Sequence, residues 1–298
     1  MPPAPLPPDL SPLPFSAHPP QGAGPKTDWT RFWRVPEGRA AEFMHASFTH
    51  HAYDRHTHDR YVFGVTTGGA EQFWHRGALQ IAPAGRVVVV NPGDVHDGES
   101  VVRGQSWQRR ICYLDPQLFS DVAAEDGRPG APLFLSSVLD DPDLATDLRA
   151  FHAAAELPGQ SALQRDTQLR GLISRLIRRH AVTRPDGTPA GREPAAVRRV
   201  RAYLDAHPAD DLSLADLGRL AGLSPLYLAR SFRKAFGVPP HAYQILKRIE
   251  QASARLRAGE APATVAQSCG FADQSHMTRQ FRRAHGVTPG AFRRANAR

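Results

Sequence analysis

Cysteine is nearly absent: the 298 residues include only Cys112 and Cys269, each in an apolar stretch. Two isolated thiols give neither a CxxC zinc spacing nor a disulfide framework, which suits a reducing compartment. Long apolar runs are missing as well. No stretch approaches the roughly 18–20 residues of a membrane span. The N-terminus, MPPAPLPPDLSPLPFSAHPPQGAGP, has neither the basic start nor the apolar run of a signal peptide. These absences point to a cytoplasmic protein with no membrane partner. Net charge is scarce over the first two thirds, where residues 1–193 carry 20 Lys+Arg against 22 Asp+Glu. Residues 194–298 carry 17 against 7, so the whole excess of +8 comes from this segment. Such a partition argues for a polyanionic partner at the C-terminal end and a different task upstream.

The basic segment contains one unit twice. SFRKAFGVPPHAY (231–243) and QFRRAHGVTPGAF (280–292) share seven of thirteen positions at an offset of 49, and LADLGRLAG (214–222) aligns with PATVAQSCG (262–270) at an offset of 48. The single-residue length change falls between Gly222 and Ser224 in one copy and between Gly270 and Asp273 in the other. A break between two short helices tolerates such a change, so each copy reads as a helix-turn-helix, over about 213–237 and 262–286. Ser213 with Asp216 forms a capping-box pattern, and Gly222 ends that helix. Ser224-Pro225 reads as an N-cap followed by proline at the first helical position. On the helix 225–236, Leu228, Phe232 and Ala235 share the inward face, while Leu226, Ala229, Arg230, Arg233 and Lys234 face out. A long helix over 240–258 leads to the second unit. There Asp273 is the cap, Met277, Phe281 and Ala284 face inward, and Gln274, Ser275, His276, Thr278, Arg279, Arg282 and Arg283 face out. Arginine bonds bidentately to guanine, glutamine to adenine, and Thr or Leu touches the thymine methyl. Phosphates need only cations, which Arg233, Lys234, Arg282 and Arg283 supply.

Upstream, residues 1–27 read as a disordered or polyproline arm. From about 29 to 115, short β-branched and aromatic runs alternate with Gly, Pro, Asp and Asn, the pattern of a sandwich or barrel. His56-Thr57-His58 precedes the run at 61–67, and Asn91-Pro92-Gly93-Asp94-Val95-His96 closes the run at 86–90. In these two motifs the sequence resembles the cupin barrel. It departs from that pattern in lacking a glutamate shortly after HxH and in a proline-glycine spacing one residue short. With only His56, His58 and His96 available, a metal site is the weaker reading and no cofactor is expected. Histidines packing the barrel rim, or contacting a small ligand, are the competing readings. His56, His58, Tyr61, Trp74 and His96 form the candidate effector pocket. Helices are expected again after 140, with Leu163, Leu169, Leu172, Ile173, Leu176 and Ile177 on one stripe that packs either on the barrel itself or on a second copy. TRPDGTPAGREP then breaks every pattern, giving a linker over 183–193 between a domain at 28–182 and one at 194–298.

GLSPLYLARSFRKAFGVPP, the linking helix and GFADQSHMTRQFRRAHGVTPGAFR resemble the AraC/XylS family of transcription regulators over about 100 residues. The second string carries the family's GF…DQSHFxRxFKxxxGxTPxxFR pattern with Met277 where phenylalanine is usual. The resemblance implies an all-α domain of two helix-turn-helix units behind an all-β, cupin-like, effector-sensing barrel with appended helices. It implies base-facing roles for Leu226, Ala229 and Arg230 in the first unit and for Gln274, Ser275, His276 and Arg279 in the second. Implied partners are double-stranded DNA and a small-molecule effector, with RNA polymerase contact for an activator, and a homodimer, as further options. Two other classes compete: a cupin-type metal-dependent enzyme or metal sensor fused to a DNA-binding tail, and a repair protein with a methyl-accepting cysteine. The missing glutamate opposes the first. The apolar surroundings of Cys112 and Cys269, without activating cations, oppose the second.

Overall fold

The computed structural model describes residues 28–34, 41–157, 161–183 and 194–296. The arm at 1–27 and the linker at 183–193, apart from Thr183, lie outside the described residues. The strands are β1 (Trp29–Arg34), β2 (Ala41–Phe48), β3 (Tyr53–His56), β4 (Tyr61–Gly68), β5 (Ala70–His75), β6 (Ala78–Pro83), β7 (Val87–Val90), β8 (His96–Ser100), β9 (Trp107–Leu114), β10 (Pro132–Phe134), β11 (Val138–Leu139) and β12 (Ala181–Thr183). Ten of them build two sheets facing each other, in the orders β1-β2-β9-β4-β7-β11 and β3-β8-β5-β6. Every pairing is antiparallel, so side chains alternate between faces. On the larger sheet both faces are buried. Met44, Val62, Val88 and Ile111 point toward Tyr53, Phe73 and Ala82 of the smaller sheet. Phe43, Phe63, Val87 and Cys112 point the other way, under helices. This double burial explains runs such as VVVV that lack polar alternation.

The covering helices are α1 (Pro116–Glu125), α2 (Pro142–Ala155) and α3 (Ala162–His180). Helix α1 begins well before 140, the expected return of helices; Asp115 caps it and Pro116 opens it. The stripe Leu169, Leu172, Ile173, Leu176 and Ile177 packs on its own barrel. Leu163 does not join it and is 77% exposed, because it lies in the first turn, beyond the edge of the sheet.

The C-terminal domain comprises α4 (Ala195–Ala206), α5 (Leu214–Ala221), α6 (Pro225–Phe236), α7 (Pro240–Arg257), α8 (Pro262–Ser268), α9 (Gln274–His285) and α10 (Pro289–Asn296). The capping box at Ser213 forms in both directions with Asp216, and Gly222 adopts the left-handed conformation that ends α5. Ser224 starts α6, but its side chain makes no cap bond. Helix α7 serves two cores. Tyr243 and Leu246 pack with α4, α5 and α6, whereas Ile245, Ile249, Ala252 and Leu256 pack with α8, α9 and α10. Gly270 makes the second turn possible: its φ is +75°, and a Cβ there would lie 2.5 Å from the Ala209 carbonyl oxygen.

The two domains meet over a seam that no sequence pattern announces. The core of the second helix-turn-helix unit continues into the barrel core, with Phe32 of β1 edge-to-face on Phe292 of α10 at 5.7 Å. Glu42, 1% exposed on β2, is bound by Arg257 of α7 at 2.9 Å and receives the Asn296 amide at 3.4 Å. Burial pushes the Glu42 carboxyl up, but Arg257, Arg34 and Arg60 outweigh it and hold the group below its ordinary range. Thr57 donates to Glu250 of α7, and Arg55 donates to the Gly237 carbonyl.

Candidate nucleic-acid interface and barrel mouth

Each helix-turn-helix unit places its second helix, α6 or α9, with one face in the core and the other in solvent. Leu228 and Phe232 anchor α6, and Met277, Phe281 and Ala284 anchor α9, all buried. Ala235, expected with the first pair, is only half-buried. Leu226, Arg230, Arg233 and Lys234 are exposed on α6, with Ala229 half-buried among them. Gln274, Ser275, Arg279, Arg282 and Arg283 are exposed on α9, with His276 and Thr278 half-buried. Asp273 caps α9 by accepting from the His276 amide at 2.6 Å, which orders its N-terminal turn. Among the described residues, Arg230, Arg233, Lys234, Arg279 and Arg282 have no ion-pair partner. Arg283 faces Asp54 of β3 at 3.5 Å, with both side chains more than 60% exposed. Tyr227, 52% exposed beside Leu226 at 74%, adds an aromatic to the tip of α6; its place directly after Leu226 was the available signal. Helix α7 has 18 residues, about 27 Å at helical rise, and spaces the two units.

The five residues expected to share one effector pocket lie in three places. His56, His58 and His96 converge inside the barrel mouth, all buried. Tyr61 points to the opposite face of the larger sheet, stacking on Phe119 and donating to the Pro132 carbonyl at 2.5 Å. On β4 it shares a face with Phe63 and Val65, while Val62 between them faces the barrel interior. Trp74 is on the outer face of β5, 44% exposed. Trp74 lines instead a cleft of about 660 Å³ between the barrel and the first helix-turn-helix unit. Arg55, Arg76, Arg233, Lys234 and Phe236 share its walls, and Asp94 is bound to Arg76 at 3.0 Å there.

Burial lowers the pKa of all three mouth histidines. His56 and His58 fall well below their ordinary value through desolvation, reinforced by neighbouring histidines, and His96 falls to about 4. All three are neutral near pH 7. The two thiols are held protonated: burial alone raises Cys112. At Cys269 burial outweighs Arg255 and Arg248, which do stand nearby, contrary to the expectation of no cations.

Two linked units with open, cationic second helices, behind a barrel, define a DNA-binding regulatory protein. Comparison with known proteins agrees. Residues 40–177 match the AraC-like ligand binding domain, and residues 217–295 match a helix-turn-helix domain. The uncharacterized HTH-type transcriptional regulator YbfI of Bacillus subtilis is 32% identical over 220 residues, 73% of this chain and 78% of its own. The arabinose operon regulatory protein of Salmonella typhimurium is 26% identical over 243 residues, 78% of this chain and 83% of its own. The fold resembles that of apo ToxT from Vibrio cholerae, with a TM-score of 0.56 at 12% identity, covering 86% of this chain and 98% of ToxT. The chain belongs to the AraC/XylS family of transcription regulators. Among the described residues no helix is long and apolar enough to cross a membrane.

Proposed function

We propose that the chain binds specific DNA through α6 and α9 together and adjusts that binding to a small-molecule effector. The observation that carries the DNA reading is the set of exposed cations without an ion-pair partner among the described residues, on two recognition helices joined by one 18-residue helix. Arg230, Gln274, Ser275, His276, Thr278 and Arg279 are the proposed base readers, with Leu226 and Ala229 offering apolar contact to thymine methyls. Arg233, Lys234, Arg282 and Arg283 are the proposed phosphate contacts. Titrating the full chain onto duplex DNA at rising salt tests this. The logarithm of affinity should fall linearly with that of salt, by about 0.9 for each phosphate neutralised, and salt-independent binding would exclude it.

The effector is assigned to the cleft between barrel and α6, whose walls come from both domains. Its arginines and Lys234, with Trp74 and Phe236, suit an anion carrying an apolar body. Such a ligand shifts the domains only through unequal affinity for their arrangements. Quenching of Trp74 fluorescence by candidate organic anions, lost in Trp74→Phe, is the check. The same reading makes the chain a binding protein without a catalytic step, active in the cytoplasm. It is proposed to activate transcription by contact with RNA polymerase and to dimerise through the exposed Leu157 and Leu163 beside α2 and α3.

A further inference from the structure

The barrel mouth is sealed by the DNA-binding domain, and its polar groups are unusual for a seam otherwise packed with apolar side chains. His56, His58 and His96 each bring one ring nitrogen to within 4.8 Å of the others. Two of these rings are fixed from behind. His56 Nδ1 lies 2.7 Å from the Asp54 carbonyl and His96 Nδ1 lies 3.1 Å from the Asp94 carbonyl. A carbonyl only accepts, so each Nδ1 carries the proton and each Nε2 keeps its lone pair. His58 Nε2 is buried with no hydrogen-bond partner, an arrangement that costs about 1–3 kcal/mol when nothing fills the space it faces. The nearby Arg109 is neutralised by Glu71 at 3.2 Å, so its charge does not oppose a cation. Neutral imidazoles held by backbone carbonyls are the donor set of a divalent transition metal, so the residues present fit such an ion.

A fourth imidazole reaches the cluster from the other domain. His285, in the last turn of α9, is 7% exposed, and its ring centre lies 6.0 Å from that of His58. The three barrel rings are separated by 4.8, 4.3 and 5.3 Å. Four imidazoles around one tetrahedral ion, with metal–nitrogen distances of about 2.1 Å, have ring centres on the order of 5 Å apart. The three barrel separations lie near that value, and His285 stands just outside the set, 6.0 Å from His58. Next to His285, Gly286 has a φ of +74°, and a Cβ there would sit 3.3 Å from the Tyr53 hydroxyl, so the end of α9 is seated directly on β3.

We propose that His56, His58 and His96 hold one divalent transition-metal ion that His285 completes across the seam, so that metal occupancy clamps the second helix-turn-helix unit to the barrel. The coupling is reciprocal: whatever draws α9 away from the mouth weakens the metal site, and loss of the metal frees α9. None of this requires DNA. DNA affinity of the metal-free chain, measured separately, distinguishes failure of the clamp from failure of the regulator reading.

The test uses the full chain, stripped with a chelator and titrated with Co²⁺, followed by visible absorption and by amide hydrogen exchange. The wild type should take up one equivalent with the intense bands of a tetrahedral ion, and exchange in α9 and α10 should slow on loading. His58→Ala should abolish uptake. His285→Gln should still bind, more weakly, without the tetrahedral bands and with exchange in α9 and α10 indifferent to metal. Ser253→Ala, which frees His285 from its 2.9 Å bond to the Ser253 hydroxyl, should keep both the bands and the protection, and guards against a folding defect at position 285. Absence of Co²⁺ uptake by the wild type, or uptake with unchanged exchange in α9 and α10, would overturn the proposal. So would His285→Gln behaving as wild type.

Discussion

Arg279 and Arg283 stand one helical turn apart on the open face of α9, and they are the sharpest test of the two proposed kinds of DNA contact. Arg279 has no ion-pair partner among the described residues, whereas Arg283 faces Asp54 of the barrel. Arg279→Ala should cost roughly 1–3 kcal/mol on the cognate site and relax preference at one base pair. Arg283→Ala should weaken all sequences about equally and reduce the salt slope by about one unit. Binding-site selection with both variants checks this; an unchanged preference for Arg279→Ala at every position shifts base reading to Arg230, Gln274 or DNA shape. At this scale the outward faces of α6 and α9 were legible because helical periodicity fixes which residues face out. The placement of the five pocket candidates was not. Strand alternation sends Tyr61 to one side of a sheet and Trp74 to the outside of another, away from His56. His285 gave no signal at all, since its approach to His58 crosses between domains.

Helix ends give a sharper comparison between elements. Ser213 accepts from the Asp216 amide and Asp216 answers, whereas Ser224 makes no side-chain cap bond. Ser213→Ala should therefore destabilise the chain by about 1 kcal/mol and Ser224→Ala by clearly less, read from thermal or denaturant unfolding. The two sites look alike in sequence, and only geometry tells them apart. Helix α2 carries a second test. His152 is fully buried, donating from Nε2 to the Ile111 carbonyl and accepting at Nδ1 from Arg110, each at 3.1 Å. Burial, aided by the Arg110 charge, pushes its pKa down to about 3. The unfolded chain binds a proton there from about pH 6.5 downward, and the folded chain does not. Stability from this residue is thus complete above pH 6.5, declines as pH falls toward 3, and is flat below. The loss should be on the order of a few kcal/mol, and in His152→Gln the unfolding free energy should depend less on pH between 6.5 and 4. Among the strands, the long apolar runs were legible. β3 and β8, with polar and glycine-containing sequences, YDRH and HDGES, were not, because tertiary pairing rather than propensity forms them. Helix α1 was missed because the expected return of helices was set by the amphipathic stripe further on.

At the scale of the molecule, charge partition and the internal repeat located the DNA-binding domain, but they could not show that it shares a core with the barrel. Such a seam is assembled from residues far apart in sequence, and Glu42 and Arg257 are ordinary in their local patterns. Their pairing has a measurable consequence. Arg257→Ala leaves the Glu42 carboxylate buried, with Arg34 at 3.7 Å and Arg60 further off as the remaining cations. Breaking a buried pair from one side costs about 3–5 kcal/mol. Calorimetry should show the seam failing first, with one unfolding transition splitting into two. Glu42→Gln combined with Arg257→Met should recover part of the loss.

In the proposed mode of binding, one chain reads two neighbouring stretches of DNA with α6 and α9. Selection of binding sites from a random duplex library by the full-length protein tests it most directly. Enriched sites should carry two short sequence blocks whose centres lie roughly one helical turn, about 10 base pairs, apart on the duplex. Arg230→Ala should erase the block read by α6, and Arg279→Ala should weaken the block read by α9. A library that emerges without enrichment, or with a single block indifferent to both substitutions, would contradict it.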